Sequence, residues 1–316
     1  MYDLVIIGAA AAGSSAAIYA ARRNLNTIIV SKDSGGEVAL SGEVNNWPGI
    51  IATNGFKLAQ DFTNHVKSYN VPMDLGFEVT KISQEKNYYT VTAKNYSGEE
   101  KTYETKTVII ASGIHPRLLS LPNEENLRGK GVTYCTVCDG PLYRGKITAT
   151  VGAGNAALES ALMMSGIASK VYLITKYPND EANKGGFPKG EDILITKVKA
   201  LPNIEIIYNV ESKEFVVDNF VTGLKLKDKT TDEEKIINVQ GVMIHVGNLP
   251  NSQFVEIKKD GGNQIEIDQK CRTSLPGIFA AGDVTNIPYK QIAVSAGQGV
   301  IAALSAIEYI NKWKEE

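Results

Sequence analysis

Two stretches of this chain share one layout, and that repetition limits the folds open to it. Each begins with a short apolar run of buried-strand type, Leu4–Ile7 and Ile147–Val151. Each then passes a glycine-bounded turn, Gly8 to Gly13 and Gly152 to Gly154, and enters a small-residue stretch of helical character, Ser14 to Arg23 and Ala156 to Met164. A second apolar run closes each copy, Thr27–Val30 and Lys170–Ile174. A buried strand, a tight glycine turn, a helix and another strand make a βαβ unit, whose strands lie parallel.

The segments after each unit also correspond. Gly76–Val79, Tyr88–Ala93 and Thr102–Thr105 alternate as an antiparallel meander does, and Thr107–Ala111 reads as a return strand. In the second half Ile204–Tyr208, Glu214–Asp218 and Val221–Lys227 read as the meander, followed by Lys235–Gln240 and Val242–Val246. Pro, Asn, Glu and Gly gather between Pro116 and Gly131, which marks a domain boundary. After Gly247 come two short strands, Ile265–Ile267 and Ile278–Ala280, and a long small-residue helix from about Gln291 to Ile310. The simplest arrangement returns this tail to the first domain. The expectation is an α/β fold of two Rossmann-like domains, the second inserted in the first: residues 1–115 with 248–316, and 116–247. A chain of 316 residues is long enough for two cores.

A formal net charge of −2 gives no electrostatic attraction for a nucleic acid or an anionic membrane. No cationic leader precedes the first strand, and the apolar runs read as shorter than a membrane span. A soluble, cytoplasmic protein is expected. Three cysteines are too few for a secreted disulfide scaffold.

The first turn, Gly8-Ala9-Ala10-Ala11-Ala12-Gly13, fits the dinucleotide pattern except at Ala10, where the pattern has its middle glycine. Amides at such a helix start face phosphates. The second turn, Gly152-Ala153-Gly154-Asn155-Ala156-Ala157, has both early glycines, with a small Ala157 third. Neither second strand ends in the carboxylate that often holds a ribose. Ser31 and Lys32 stand there in the first unit, Thr175 and Lys176 in the second. Lys176 offers a point charge to a 2′-phosphate or is a solvated surface lysine.

Cys135-Thr136-Val137-Cys138-Asp139-Gly140 lies just upstream of the second turn. Two thiols at this spacing close into a disulfide and reopen. Zinc would need about four Cys or His ligands, and only Cys271 and three scattered histidines remain, so no metal is expected. In a reducing compartment such a pair is usually catalytic or metal-binding, so a redox pair is the leading reading and inert cysteines the remaining one. One thiolate attacks and the other resolves. Asp139 adjoins Cys138 and is either the acid–base group for a sulfur or an Asp-Gly turn residue. His115 and His245 read as lone core or surface histidines, and Cys271 as a structural thiol.

Taken together, these motifs resemble the low-molecular-weight thioredoxin reductase family over nearly the whole chain. The resemblance rests on Cys135–Gly140, Gly8–Gly13, Asn46-Trp47-Pro48-Gly49, Gly152–Ala157, Val246–Asn251 and Thr273–Val284. It implies two three-layer ββα nucleotide-binding domains in a homodimer, with one domain rotating against the other. It implies FAD on the first domain, near Gly8, Ala11, Gly13, Ser31, Gly36, Glu37, Asn46, Gly282, Asp283, Lys290, Gln291 and Ile292. It implies a pyridine nucleotide at Gly152, Gly154, Asn155, Ala156 and Lys176. Cys138 would face the flavin, Cys135 would attack the protein disulfide, and Asp139 would move the proton. The partner implied is thioredoxin or a similar small protein.

Departures from the family concern the donor. The family's arginine clamp for the NADPH 2′-phosphate is replaced by Thr175-Lys176-Tyr177-Pro178 and Asn183-Lys184-Gly185-Gly186-Phe187. Glu37 stands where the family has Gln, and Lys290 where it usually has Arg. NADPH, NADH and reduced ferredoxin therefore all stand as donors. Two other readings are a related flavoprotein with a different acceptor, such as a ferredoxin–NADP reductase or a peroxiredoxin-linked reductase, and a non-catalytic flavin-binding redox sensor.

Overall fold

Residues 1–41 and 43–314 are described by the computed structural model. The chain divides into two units, one formed by Met1–His115 with the segment from Leu249 onward, the other by Pro116–Asn248.

In the first unit the parallel strands run in the order Met73–Leu75, Thr27–Ser31, Tyr2–Ile7 and Glu100–Ile110, with Ile278–Ala280 also on Glu100–Ile110. Leu4, Val5, Ile6, Ile29, Val30, Val108, Ile109 and Ile110 are fully buried, as a sheet covered on both faces requires. Sequence patterning splits Glu100–Ile110 in two, but it is one strand. Its first half alternates in burial and pairs antiparallel with Tyr89–Asn95, while its second half is continuously buried and pairs parallel with Tyr2–Ile7. The change of periodicity marks a change of neighbours, not an end. Phe77–Gln84 completes the antiparallel part. Ile265–Ile267 forms no strand; Ile265 makes only isolated bridges to Lys259 and Thr285.

Helix Ala11–Ala21 follows the first glycine turn, and its small face packs against the last helix, Ile292–Ile310, through Ala12, Ala16, Ala302, Ala303 and Ala306. That last helix corrects the reading of all apolar runs as short: its 19 residues, at a hydropathy of 1.3, are long and apolar enough to cross a membrane by length and composition. Its buried face is a core face of this unit.

The second unit has a five-stranded parallel sheet in the order Val132–Thr133, Gly241–Ile244, Ile147–Val151, Lys170–Ile174 and Ile204–Ile207. Ile204–Ile207, expected in the meander, pairs parallel with Lys170–Ile174. The meander is Val210–Asp218, Phe220–Asp228 and Glu234–Asn238. Leu127, Val132, Phe215, Leu224, Leu226 and Ile244 share one core cluster. Helices Asn155–Ser165 and Asp192–Ala200 contribute to another, with Leu158, Ala161, Met164 and Val198 beside Phe187. The second of these helices has no counterpart among the elements expected from the sequence.

Gly299 tests the helix crossing. A Cβ there would lie 2.1 Å from the Ala12 carbonyl oxygen. Helix propensity alone predicts that Gly299→Ala stabilises by about 1 kcal/mol. The crossing predicts the opposite sign, a loss of roughly 2 kcal/mol or more, read as a lower urea midpoint. A raised midpoint would refute the packing described here.

Candidate functional site: the dithiol and the two glycine turns

The first turn is a main-chain cradle. Gly8 has φ +108°, and a Cβ on it would lie 2.3 Å from the Ala111 carbonyl oxygen. Gly13 approaches so closely that its Cβ would fall 1.8 Å from the Gly8 carbonyl oxygen. Ala10 stands at the N-cap position of helix Ala11–Ala21, and no side chain caps that end. Amides at the start of this helix lack a side-chain acceptor, which suits a phosphate.

The structure gathers most of the expected flavin residues around this turn. A Cβ on Gly36 would be 3.6 Å from Ala10 Cβ, and one on Gly282 would be 3.0 Å from Ala12 Cβ. Asn46 Nδ2 donates to Gln291 Oε1 at 3.3 Å. Ile292 packs against the buried cluster of Ala11, Val38, Val44, Leu58 and Ala59, as Ala10 and Trp47 also do. Asp283 accepts a hydrogen bond from Ser295 Oγ at 2.8 Å, and burial raises its carboxyl above the usual range. Lys290 Nζ donates to the Thr285 carbonyl at 2.5 Å, and burial lowers its ammonium. Ser31 is turned inward, its hydroxyl donating to the Asp33 carbonyl. The glycine cradle and the desolvated Asp283 carboxylate, an acceptor for hydroxyl donors, fit a flavin dinucleotide.

Glu37 has a partner that sequence reasoning missed. Its Oε1 lies 3.1 Å from His115 Nδ1, and this bond is the first cause of a raised imidazole pKa. The residues are 78 positions apart, so no local pattern announces the pair.

At the second turn Gly152 has φ +153°, and a Cβ there would lie 2.3 Å from the His245 carbonyl oxygen. Gly154 forms an isolated bridge with Lys189. Asn155 Nδ2 donates to Glu191 Oε1 at 2.7 Å, and the Glu191 amide donates to Asn155 Oδ1 at 2.8 Å. Ala156 is exposed at the helix start. This turn fits a pyridine nucleotide's phosphates. Thr175 is buried, its hydroxyl donating to the Gly186 carbonyl, while Lys176 is exposed with Nζ 5.5 Å from the Tyr177 ring. Lys189, absent from the sequence expectations, lies beside the turn, where a Cβ on Gly154 would be 3.8 Å from Lys189 Cβ.

Cys135 and Cys138 are joined as a disulfide. Cys135 is the N-cap of the short helix Thr136–Asp139, and its Sγ accepts from the Cys138 amide at 3.3 Å. An amide directed at this sulfur favours its thiolate once the bond opens. Asp139 Oδ2 accepts from Thr133 Oγ1, whose oxygen also accepts from the Cys135 amide at 3.1 Å. The carboxyl is thereby tied to the strand leading into the dithiol. Cys271 is buried, and its thiol is pushed up to about 12.

His245 is not solitary. Its Nε2 lies 2.8 Å from Thr136 Oγ1, the residue that follows Cys135. Thr136 Oγ1 is also 2.6 Å from Ser160 Oγ. Desolvation lowers the imidazole to about 4 from 6.5. The unfolded chain therefore binds a proton near pH 6.5 that the folded chain refuses until about pH 4. Stability contributed by the neutral ring is lost as pH falls through that window, by roughly 3 kcal/mol. His245→Gln is expected to flatten this part of the stability–pH curve in urea unfolding. Parallel curves for the two proteins would show that the ring titrates normally.

The sequence model of the pyridine nucleotide-disulphide oxidoreductase family matches residues 2–299. A solved thioredoxin reductase from Streptococcus pyogenes superposes with a TM-score of 0.89 at 32% identity, covering 99% of each chain. A Staphylococcus aureus protein of the alkyl hydroperoxide reductase system is 37% identical over 313 residues, 98% of this chain and 59% of its own length. A Bacillus subtilis protein named NADH dehydrogenase is 34% identical over 311 residues, 98% of this chain and 58% of its own. The chain thus spans under two thirds of these two curated relatives. Family membership implies FAD and NAD(P)H. With both glycine turns and the cysteine pair in place, this chain belongs to the pyridine nucleotide-disulphide oxidoreductase family.

Proposed function

We propose that this protein is a flavin-dependent disulfide reductase whose Cys135–Cys138 pair passes electrons to thioredoxin or a similar small protein disulfide. The observation that carries the reading is the cysteine pair itself, closed in a disulfide at the start of a short helix beside an acid. When bound, FAD supplies the two electrons that open this bond. The rest is chemistry of the chain's own groups. The Cys135 thiolate, held by the Cys138 amide, attacks one sulfur of the partner disulfide. A mixed disulfide forms, and the departing partner thiolate takes a proton from Asp139. Asp139, now ionised, takes the proton of the Cys138 thiol, and the resulting thiolate attacks the Cys135 sulfur. The internal disulfide re-forms, and the second partner thiolate leaves with the proton that Asp139 returns. One disulfide is reduced and one is made, so electrons and protons balance.

Around the first turn, Gly8, Ala11 and Gly13 would hold the FAD phosphates, Asp283 its hydroxyls, and Glu37, Asn46, Gln291 and Ile292 its far end. At the second turn, Gly152 to Ala156 would hold a nucleotide's phosphates. Lys176 and Lys189 are point charges without the bidentate geometry of arginine, so a 2′-phosphate is read weakly. NADH and NADPH are both served on this reading, with reduced ferredoxin as the alternative donor. The working form is a cytoplasmic homodimer. Relatives named for alkyl hydroperoxide reductase favour a second acceptor, a thiol protein of hydroperoxide reduction.

Cys135→Ser is expected to abolish thioredoxin reduction while leaving bound FAD reducible. Asp139→Asn should slow turnover by about 10²-fold or more, the scale of general acid catalysis. Stopped-flow turnover with each donor checks both. Unchanged turnover in Cys135→Ser would sink the proposal.

A further inference from the structure

The first residue between the two cysteines has an unusual setting. Thr136 is only 4% exposed, although it lies in a four-residue helix between Val137, which is exposed, and Cys135. Its hydroxyl reaches two groups from distant parts of the same unit. Ser160, itself 4% exposed, comes from helix Asn155–Ser165, and His245 follows strand Gly241–Ile244. Thr150 Oγ1 lies 3.5 Å from Ser160 Oγ and extends the chain into strand Ile147–Val151. The His245 amide donates to the Val151 carbonyl at 2.8 Å, which anchors its backbone to that strand. The imidazole is thus fixed by the sheet and bonded to the dithiol turn.

We propose that His245 is a positioning residue for the dithiol, acting through Thr136. A neutral imidazole has one donor nitrogen and one acceptor nitrogen. With Ser160 on its other side, the Thr136 hydroxyl donates to one neighbour and accepts from the other. With the ring nitrogen as acceptor, the hydroxyl hydrogens of Thr150, Ser160 and Thr136 all run one way along the chain to His245; with it as donor, the order reverses. This clamps the helix turn that separates Cys135 from Cys138. The clamp keeps the two sulfurs at bonding reach and keeps the Cys138 amide on Cys135 Sγ. His245 touches neither sulfur in this account and moves no proton. Sequence spacing does not announce the pairing, because Thr136 and His245 are 109 positions apart.

The inference rests on reading Cys135 and Cys138 as the redox pair, and its test does not need a protein substrate. The full-length protein is equilibrated against reduced and oxidised glutathione, and the dithiol fraction is read by alkylation and mass. The variants are His245→Ala, His245→Gln, Thr136→Val and the His245→Ala/Thr136→Val double. A loosened turn lowers the effective concentration of one thiol at the other. His245→Ala and Thr136→Val should therefore each shift the equilibrium toward dithiol by about tenfold, the scale of one coupled buried contact. The double variant should shift no further than either single, and His245→Gln should recover most of the wild-type value. The pH at which Cys135 is half-alkylated should rise in the same two single variants.

A wild-type equilibrium retained in His245→Ala overturns the inference, even where its unfolding midpoint falls. So do additive shifts in the double variant. In both cases the wild-type pair still exchanges with glutathione and the disulfide-reductase reading stands. A wild-type pair that does not exchange at all would overturn that reading, and this inference with it.

Discussion

Main chain meeting main chain without room for a Cβ is the constraint on which both units rest. At Gly8, Gly13 and Gly152 a methyl group would fall 1.8 to 2.3 Å from a carbonyl oxygen. Only glycine lets the strand end, the return strand and the helix start close to that distance. The same closeness leaves helix-start amides facing outward with no side-chain cap. Geometry that tightens the fold therefore also leaves helix-start amides suited to a phosphate, at both turns. Gly299 repeats the device between helices, where small faces bring the last helix against the first.

The two turns carry different surroundings. The first is bordered by carboxylates and cations from several loops: Glu37 with His115, and Asp283 near Lys290. The second is bordered by Asn155 and Glu191 in mutual hydrogen bonds, with His245 beneath it. The His245 backbone touches the turn while its ring touches the dithiol segment. One residue thus links the glycine turn of the second unit to the redox pair.

What can be read in the sequence is what is local. Each strand–glycine–helix run is contiguous, so its period and its turn residues sit in one window. Cys135 and Cys138 are three positions apart, and their pairing follows from spacing. Errors arise where neighbours change. Glu100–Ile110 reads as two strands because half of it faces an antiparallel partner and half a parallel one. Ile204–Ile207 is short and apolar, which suits either sheet, and only tertiary pairing decides. The helix at Asp192–Ala200 is hidden behind a glycine-rich loop. Glu37 with His115, and Thr136 with Ser160 and His245, are pairings of distant residues that no window contains. Sheet pairing sets the His245 contact, by placing its backbone beside Val151.

All of this chemistry requires the cysteine pair to exchange electrons with the bound flavin. Anaerobic titration of the FAD-loaded protein with dithionite measures this directly, by counting the reducing equivalents taken up before excess reductant appears. Two electrons are expected beyond those the flavin itself takes, and they are lost in Cys135→Ser. Uptake equal to the flavin's own capacity in the unaltered protein would contradict that exchange.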